Sequence, residues 1–179
     1  MDHINFVSIE VDPLYPYVML VAALICTECM IIGFMAGSKR STIFNKQFME
    51  DNFAEVHFKE VMQGLPKGGY PDTGNGLYSD KLSYKDWFQF NLDQRAHKNF
   101  LEQLTIVVFS ILVSGIVYPA WAIGFGSLHA VARVVFTAGY RGSPKGRMIG
   151  GPFVMLSCMA LIVLDFVALS VWIHATTFR

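Results

Sequence analysis

Arg95, Asn99 and Glu102 lie at i, i+4 and i+7 in the stretch NLDQRAHKNFLEQ, so a helix puts all three on one face. A guanidinium pairs carboxylates through two parallel hydrogen bonds, a carboxylate accepts from an ammonium, and an amide does either. The set therefore suits a ligand that carries carboxylates and an ammonium together. It equally suits a helix entrance whose charges are solvated at lipid headgroups, which calls for no ligand. Immediately beyond, LTIVVFSILVSGIVYPAW carries no charge at all. Arg133 lies deeper, in HAVARVVFTAGY, seven residues before Tyr140. An ionisable group in such an apolar run faces a bundle interior and pairs, and Glu102 or Asp93 is the expected partner. GYRGSPKGR, residues 139–147, then gathers Arg141, Lys145 and Arg147. That run reads either as a basic loop closing a helix C-terminus or as an anion-binding wall on the side of Arg95.

These residues must be carried by membrane helices. The 179-residue chain is 53% hydrophobic and only 16% charged, and its formal net charge is zero. A soluble domain is usually nearer a quarter charged, and a neutral balance gives nucleic acid no footing as a partner. Continuous apolar runs over residues 14–37, 100–118, 120–140 and 150–175 predict four transmembrane helices, with Tyr118-Pro119 breaking the middle pair. Alternation of the kind a membrane β-barrel needs is missing from these runs. The fold class expected is thus all-α, an integral membrane four-helix bundle. Nine of the fourteen Lys and Arg residues lie between Lys39 and Lys98, and three more lie between the third and fourth runs. Both basic connections fall on one side, which is expected to be cytosolic, with both termini facing away.

Other features point to structure. Cys26, Cys29 and Cys158 all lie in apolar runs and read as buried thiols, the CxxC notwithstanding. His129 and His174 have no second ligand one helical turn away, so no metal is expected. Glu28 and Asp165 are acids within apolar runs, to which spacing assigns no partner. No basic region precedes the first apolar run, so no secretory signal is expected. Residues 41–90 form an extended, aromatic-rich extramembrane insertion, in which NKQFMEDNFAEVHFKEVMQ can form a helix lying on the membrane or against another protein.

With FNLDQRAHKNFLE, GIVYPAWAIGFGSLHAVARVVFTAGY and GYRGSPKGR in view, the chain resembles the MAPEG family, the membrane-associated proteins of eicosanoid and glutathione metabolism, and is most similar to its type-three microsomal glutathione transferase branch. The resemblance implies a four-helix bundle assembled as a homotrimer, with glutathione bound between subunits near the cytosolic side. It implies glutathione contacts at Arg95, His97, Asn99, Glu102, Arg133 and Tyr140, and at Lys39 or Arg40 at the end of the first helix. Arg147 takes the place of the arginine that activates the thiol, with Tyr140 beside it in the catalytic set. Glutathione is then a co-substrate, the bilayer delivers a lipophilic electrophile or lipid hydroperoxide, and the home membrane is endoplasmic reticulum or mitochondrial.

The chain also departs from the family pattern. Phe136 stands where family enzymes commonly have a tyrosine, and Gln103 replaces the tyrosine of the leukotriene-synthase branch, which argues against that substrate. Pro144 and Gly146 alter the basic loop, so Lys145 competes with Arg147 for the thiol-activating role. The first connection is also longer than is usual in the family. Two readings follow: an active glutathione transferase or peroxidase, or a non-catalytic bundle that docks through 41–90 onto unrelated membrane subunits.

Overall fold

The computed structural model of the chain describes residues 11–177. Its helices, in order, are α1 (Tyr15–Ser38), α2 (Arg40–Ile43), α3 (Lys46–Val61), α4 (Tyr84–Val117), α5 (Pro119–Gly142) and α6 (Arg147–Thr177), and no strand occurs among the described residues. Four stretches are long and apolar enough to cross a membrane: Tyr15–Ile43, Tyr84–Val117, Pro119–Gly142 and Arg147–Ala175. The expected all-α four-helix layout is therefore what the structure shows.

Local chemistry explains the breaks. Pro119 is the first residue of α5, where its missing N–H costs nothing, and Tyr118 alone separates α5 from α4. The second long helix begins well before its apolar run. Ser83 caps it, accepting from the Asp86 amide at 3.1 Å while its hydroxyl donates to the Asp86 carboxylate at 2.7 Å. With 34 residues, α4 spans about 51 Å, well beyond the ~30 Å of hydrocarbon. Its N-terminal half therefore stands out of the apolar layer and carries the polar stretch as a helix rather than as a loop.

The bundle core joins α1, α4, α5 and α6 through Val18, Ile25, Phe100, Ile111, Ala122 and Leu161, all fully buried. Helix α5 meets α6 very closely. A Cβ on Gly150 would run into the Phe136 amide nitrogen and come within 2.8 Å of the Ala132 carbonyl oxygen, so only glycine lets the two backbones touch there.

Residues 40–83 fold onto the projecting part of α4. Phe44, Met49, Phe53 and Phe90 form a second apolar cluster, with Phe44 and Phe90 edge to face at 5.3 Å. Arg40 is buried, with its guanidinium 4.0 Å from the Tyr70 ring centroid and its Nε and Nη2 each donating over 3.0 Å, to the Gly68 and Gly69 carbonyls. The buried Asp72 carboxylate accepts from the Gly74, Gly76 and Ser79 amides and from the Ser79 hydroxyl, at 2.7–3.1 Å. Burial pushes the Asp72 carboxyl up, but these donors outweigh it and hold it below the ordinary aspartate range. A depressed folded pKa supplies stability above the unfolded value and loses it as pH falls through the folded one. Amide exchange at Gly74, Gly76 and Ser79, corrected for intrinsic rates, should thus show constant protection down to about pH 4 and loss below. Asp72→Ala should remove that protection at every pH, by about 3 kcal/mol, without shifting bundle unfolding.

Candidate functional site

Arg133 is the centre of the polar interior. It is fully buried on the inner face of α5, with its guanidinium 4.1 Å from the Phe100 ring centroid and 4.9 Å from that of Phe136. Its Nη1 donates to Asn99 Oδ1 of α4 at 2.9 Å, while Nε and Nη2 have no partner among the described residues. The expected ion pair with Glu102 or Asp93 is not formed, because both acids are engaged elsewhere. Glu102 accepts from Arg95 at 3.0 Å, two turns along α4, and about half of each side chain is exposed. Asp93 lies between Lys39, just past the end of α1, and Arg141 of α5. On α1, the Glu28 Oε1 is also buried and has no hydrogen-bond partner among the described residues. A guanidinium in this setting makes its full set of bonds only when an acceptor reaches it.

Below Arg133, α5 lays out a ladder of rings. The Phe136 and Tyr140 rings stack at 5.7 Å and 6°, and the Arg147 guanidinium stands 6.0 Å from the Tyr140 ring centroid. The ladder thus runs from a buried cation at Arg133 to an exposed one at Arg147, the first residue of α6. Helix N-termini carry partial positive charge, so Arg147 adds to a field that already favours an anion there. Phe136 presents no hydroxyl and acts as the spacer that links the two cations.

The candidate residues separate into groups. Asn99, Arg133, Phe136, Tyr140 and Arg147 form one continuous series of contacts, and Arg95 and Glu102 form a separate, half-exposed pair on the same helix as Asn99. His97 lies two residues from Arg95, about 200° round the helix, and turns toward α1, where a Cβ on Gly33 would come within 2.8 Å of its Nε2. Lys39 is also on the α1 side, with its Nζ 2.6 Å from Asp93 Oδ2. Arg40 belongs to neither group, since its guanidinium points into the 68–70 turn. Lys145 is exposed in the turn between α5 and α6 and has no ring contact of the Arg147 kind.

The Lys39–Asp93–Arg141 triad joins three residues that the sequence presents as separate features. Arg141 Nε donates to Asp93 Oδ1 at 2.5 Å, and the carboxylate is 1% exposed, so one acid ties α1, α4 and α5 together. The available signal was register: Asp93 shares a helical stripe with Ala96 and Phe100, both fully buried. Removing one member of a buried pair costs roughly 3–5 kcal/mol, and partial exposure of both cations puts Asp93→Ala near the lower end. Thermal unfolding in detergent should show a loss of about 3 kcal/mol, partly recovered on adding Arg141→Ala.

The sequence model of the MAPEG family matches residues 14–167, from the start of α1 well into α6.

Proposed function

Because the chain belongs to the MAPEG family, we propose that this integral membrane protein is a glutathione transferase or peroxidase of the type-three microsomal kind, acting on lipophilic electrophiles or lipid hydroperoxides. The observation that carries the reading is the buried Arg133 guanidinium, bonded to Asn99 with Nε and Nη2 unpartnered, at the head of a ring ladder ending in Arg147. Glutathione brings two carboxylates, an ammonium and a thiol. Arg95 and Arg133 supply donors for its carboxylates, Glu102 accepts from its ammonium, and Asn99 bridges.

Arg147 is assigned to the sulfur. A cation at a helix N-terminus favours thiolate over thiol, and the thiolate is the nucleophile. In transfer, sulfur forms a bond to the electrophilic carbon and the leaving group departs with the bonding pair. In the peroxidase reaction, sulfur attacks the terminal oxygen of the hydroperoxide and the O–O bond breaks. The alkoxide takes a proton and leaves as the alcohol. A second glutathione then displaces water from the sulfenic acid and forms the disulfide. Tyr140, whose ring lies between Phe136 and Arg147, is assigned as a donor to the sulfur.

The split of the candidate residues supports a homotrimer. Lys39, at the end of α1, reaches Asp93 and His97 turns toward α1, while Arg95 and Glu102 are half-exposed, an arrangement in which a ligand that meets both groups spans two adjoining copies. The endoplasmic reticulum or mitochondrial membrane is the proposed location. Glutathione conjugation by the purified protein, with Arg147→Ala and Lys145→Ala beside it, is the test, and absence of both turnover and glutathione binding sinks the reading.

One observation favours the second reading, a non-catalytic subunit of a larger complex. Outside the apolar layer, Phe58, Met62, Leu77 and Tyr84 are each more than 70% exposed. Isolation of a single copy held through 41–90 by unrelated chains would select it.

A further inference from the structure

The loop of residues 70–79 lies along α4 beside the Arg95 face. The Gly74 carbonyl accepts from Trp87 Nε1 at 3.1 Å and from Asn91 Nδ2 at 2.9 Å. Lys98 Nζ donates to Thr73 Oγ1 at 3.4 Å, and Thr73 Oγ1 donates to Asn75 Oδ1 at 3.2 Å. Trp87, Asn91 and Lys98 fall on one stripe of α4, and at about 100° per residue that stripe lies within a quarter turn of Arg95 and Glu102. The loop follows that stripe from Trp87 to Lys98.

Its shape is set internally as well as by α4. Asp72 draws Gly74, Gly76 and Ser79 around one carboxylate. A Cβ on Gly74 would come within 2.8 Å of Asn91 Oδ1, and the residue sits at φ +109°. The loop is therefore a shaped wall rather than a slack tether. Lys98 stands where that wall meets the helix, half-buried and without an ion pair among the described residues. Thr73 takes one of its N–H groups and leaves two for a ligand.

We propose that Lys98, held by the 70–79 loop, is a specificity-determining contact that pairs one carboxylate of the thiol peptide bound at the Arg95–Asn99–Glu102 face, with the loop as the outer wall of that site. The inference rests on the glutathione reading above. It gives the insertion a role at the site and a cation where the neighbouring Gln94 and Asn91 offer none.

The test is calorimetric binding of glutathione, and of its two monoethyl esters, to the full-length protein in detergent. Lys98→Ala should weaken glutathione about tenfold, the effect of one charge-assisted hydrogen bond. It should cost as much with one monoester and nothing with the other, whose blocked carboxylate is the one Lys98 pairs. Lys98→Arg should retain most of the affinity, and Thr73→Val should lose part of it by releasing the lysine. Wild-type affinity in Lys98→Ala overturns the inference, as does an equal loss with both monoesters, which marks a packing role. Failure of the wild-type protein to bind glutathione instead overturns the reading beneath it, and the inference with it.

Discussion

Arg133→Met is expected to abolish glutathione binding while leaving the bundle as stable as the wild type, or more so. Arg133 is fully buried, makes one hydrogen bond to Asn99, and has two nitrogens without partners. Replacing a whole buried ion pair with apolar residues is commonly neutral or stabilising by about 1–4 kcal/mol, and Arg133, with no ion pair and two unpartnered nitrogens among the described residues, carries a burial cost of the same kind that an apolar chain of similar volume removes. Methionine keeps the contact with Phe100 and Phe136. Against this stands Asn99, which loses its donor at a cost of about 1 kcal/mol. The ligand, in contrast, loses two charge-assisted bonds in a dry site, about a hundredfold or more in affinity. Thermal unfolding and calorimetric titration of the same preparation separate the two roles. A purely structural arginine gives the opposite pattern, a large drop in the unfolding temperature with binding retained.

Arg147→Ala is expected to lower turnover at neutral pH by about twenty- to thirtyfold with only a few-fold change in glutathione affinity, since a thiol raised by about two pKa units to the ordinary cysteine value is only a few per cent thiolate at pH 7. The sign follows from the charge. A cation beside the sulfur depresses the thiol pKa, so thiolate persists above the depressed value and is lost as pH falls through it. Without Arg147 the pH–rate profile should shift upward toward the unperturbed cysteine value of about 8.5, and the variant should recover most of its rate in alkali. Lys145→Ala should keep turnover within about twofold, as surface substitutions usually do. Of the two, only Arg147 reaches the Tyr140 ring, at 6.0 Å from its centroid. A uniform loss at every pH would show that Arg147 holds α5 against α6 rather than acting on the thiol.

The four spanning helices were legible because their apolar runs are continuous and Pro119 punctuates the middle pair. The start of α4 was not. Tyr84 to Phe90 reads as part of the insertion, and it is helical because Ser83 caps it and Phe90 buries against Phe44 from forty-six positions upstream. The fold of 40–83 is hidden for the same reason. Arg40 reaches the Gly68 carbonyl, and Asp72 reaches Ser79, through contacts that no local pattern announces. The site was half legible. Spacing put Arg95, Asn99 and Glu102 on one face, but the partner of Arg133 depended on which acids were already taken. Asp93 binds Lys39 and Arg141, and Glu102 binds Arg95, so the guanidinium falls to an amide and two rings.

The central claim is that this bundle binds glutathione and activates its thiol. The most direct measurement is the ultraviolet difference spectrum of glutathione bound to the purified full-length protein, which reads thiolate near neutral pH. A thiolate band should appear in the wild-type protein at pH 7, vanish in Arg133→Met through loss of binding, and move to higher pH in Arg147→Ala. Bound glutathione that stays a thiol at pH 7 in the wild type, or no bound glutathione at all, would contradict it.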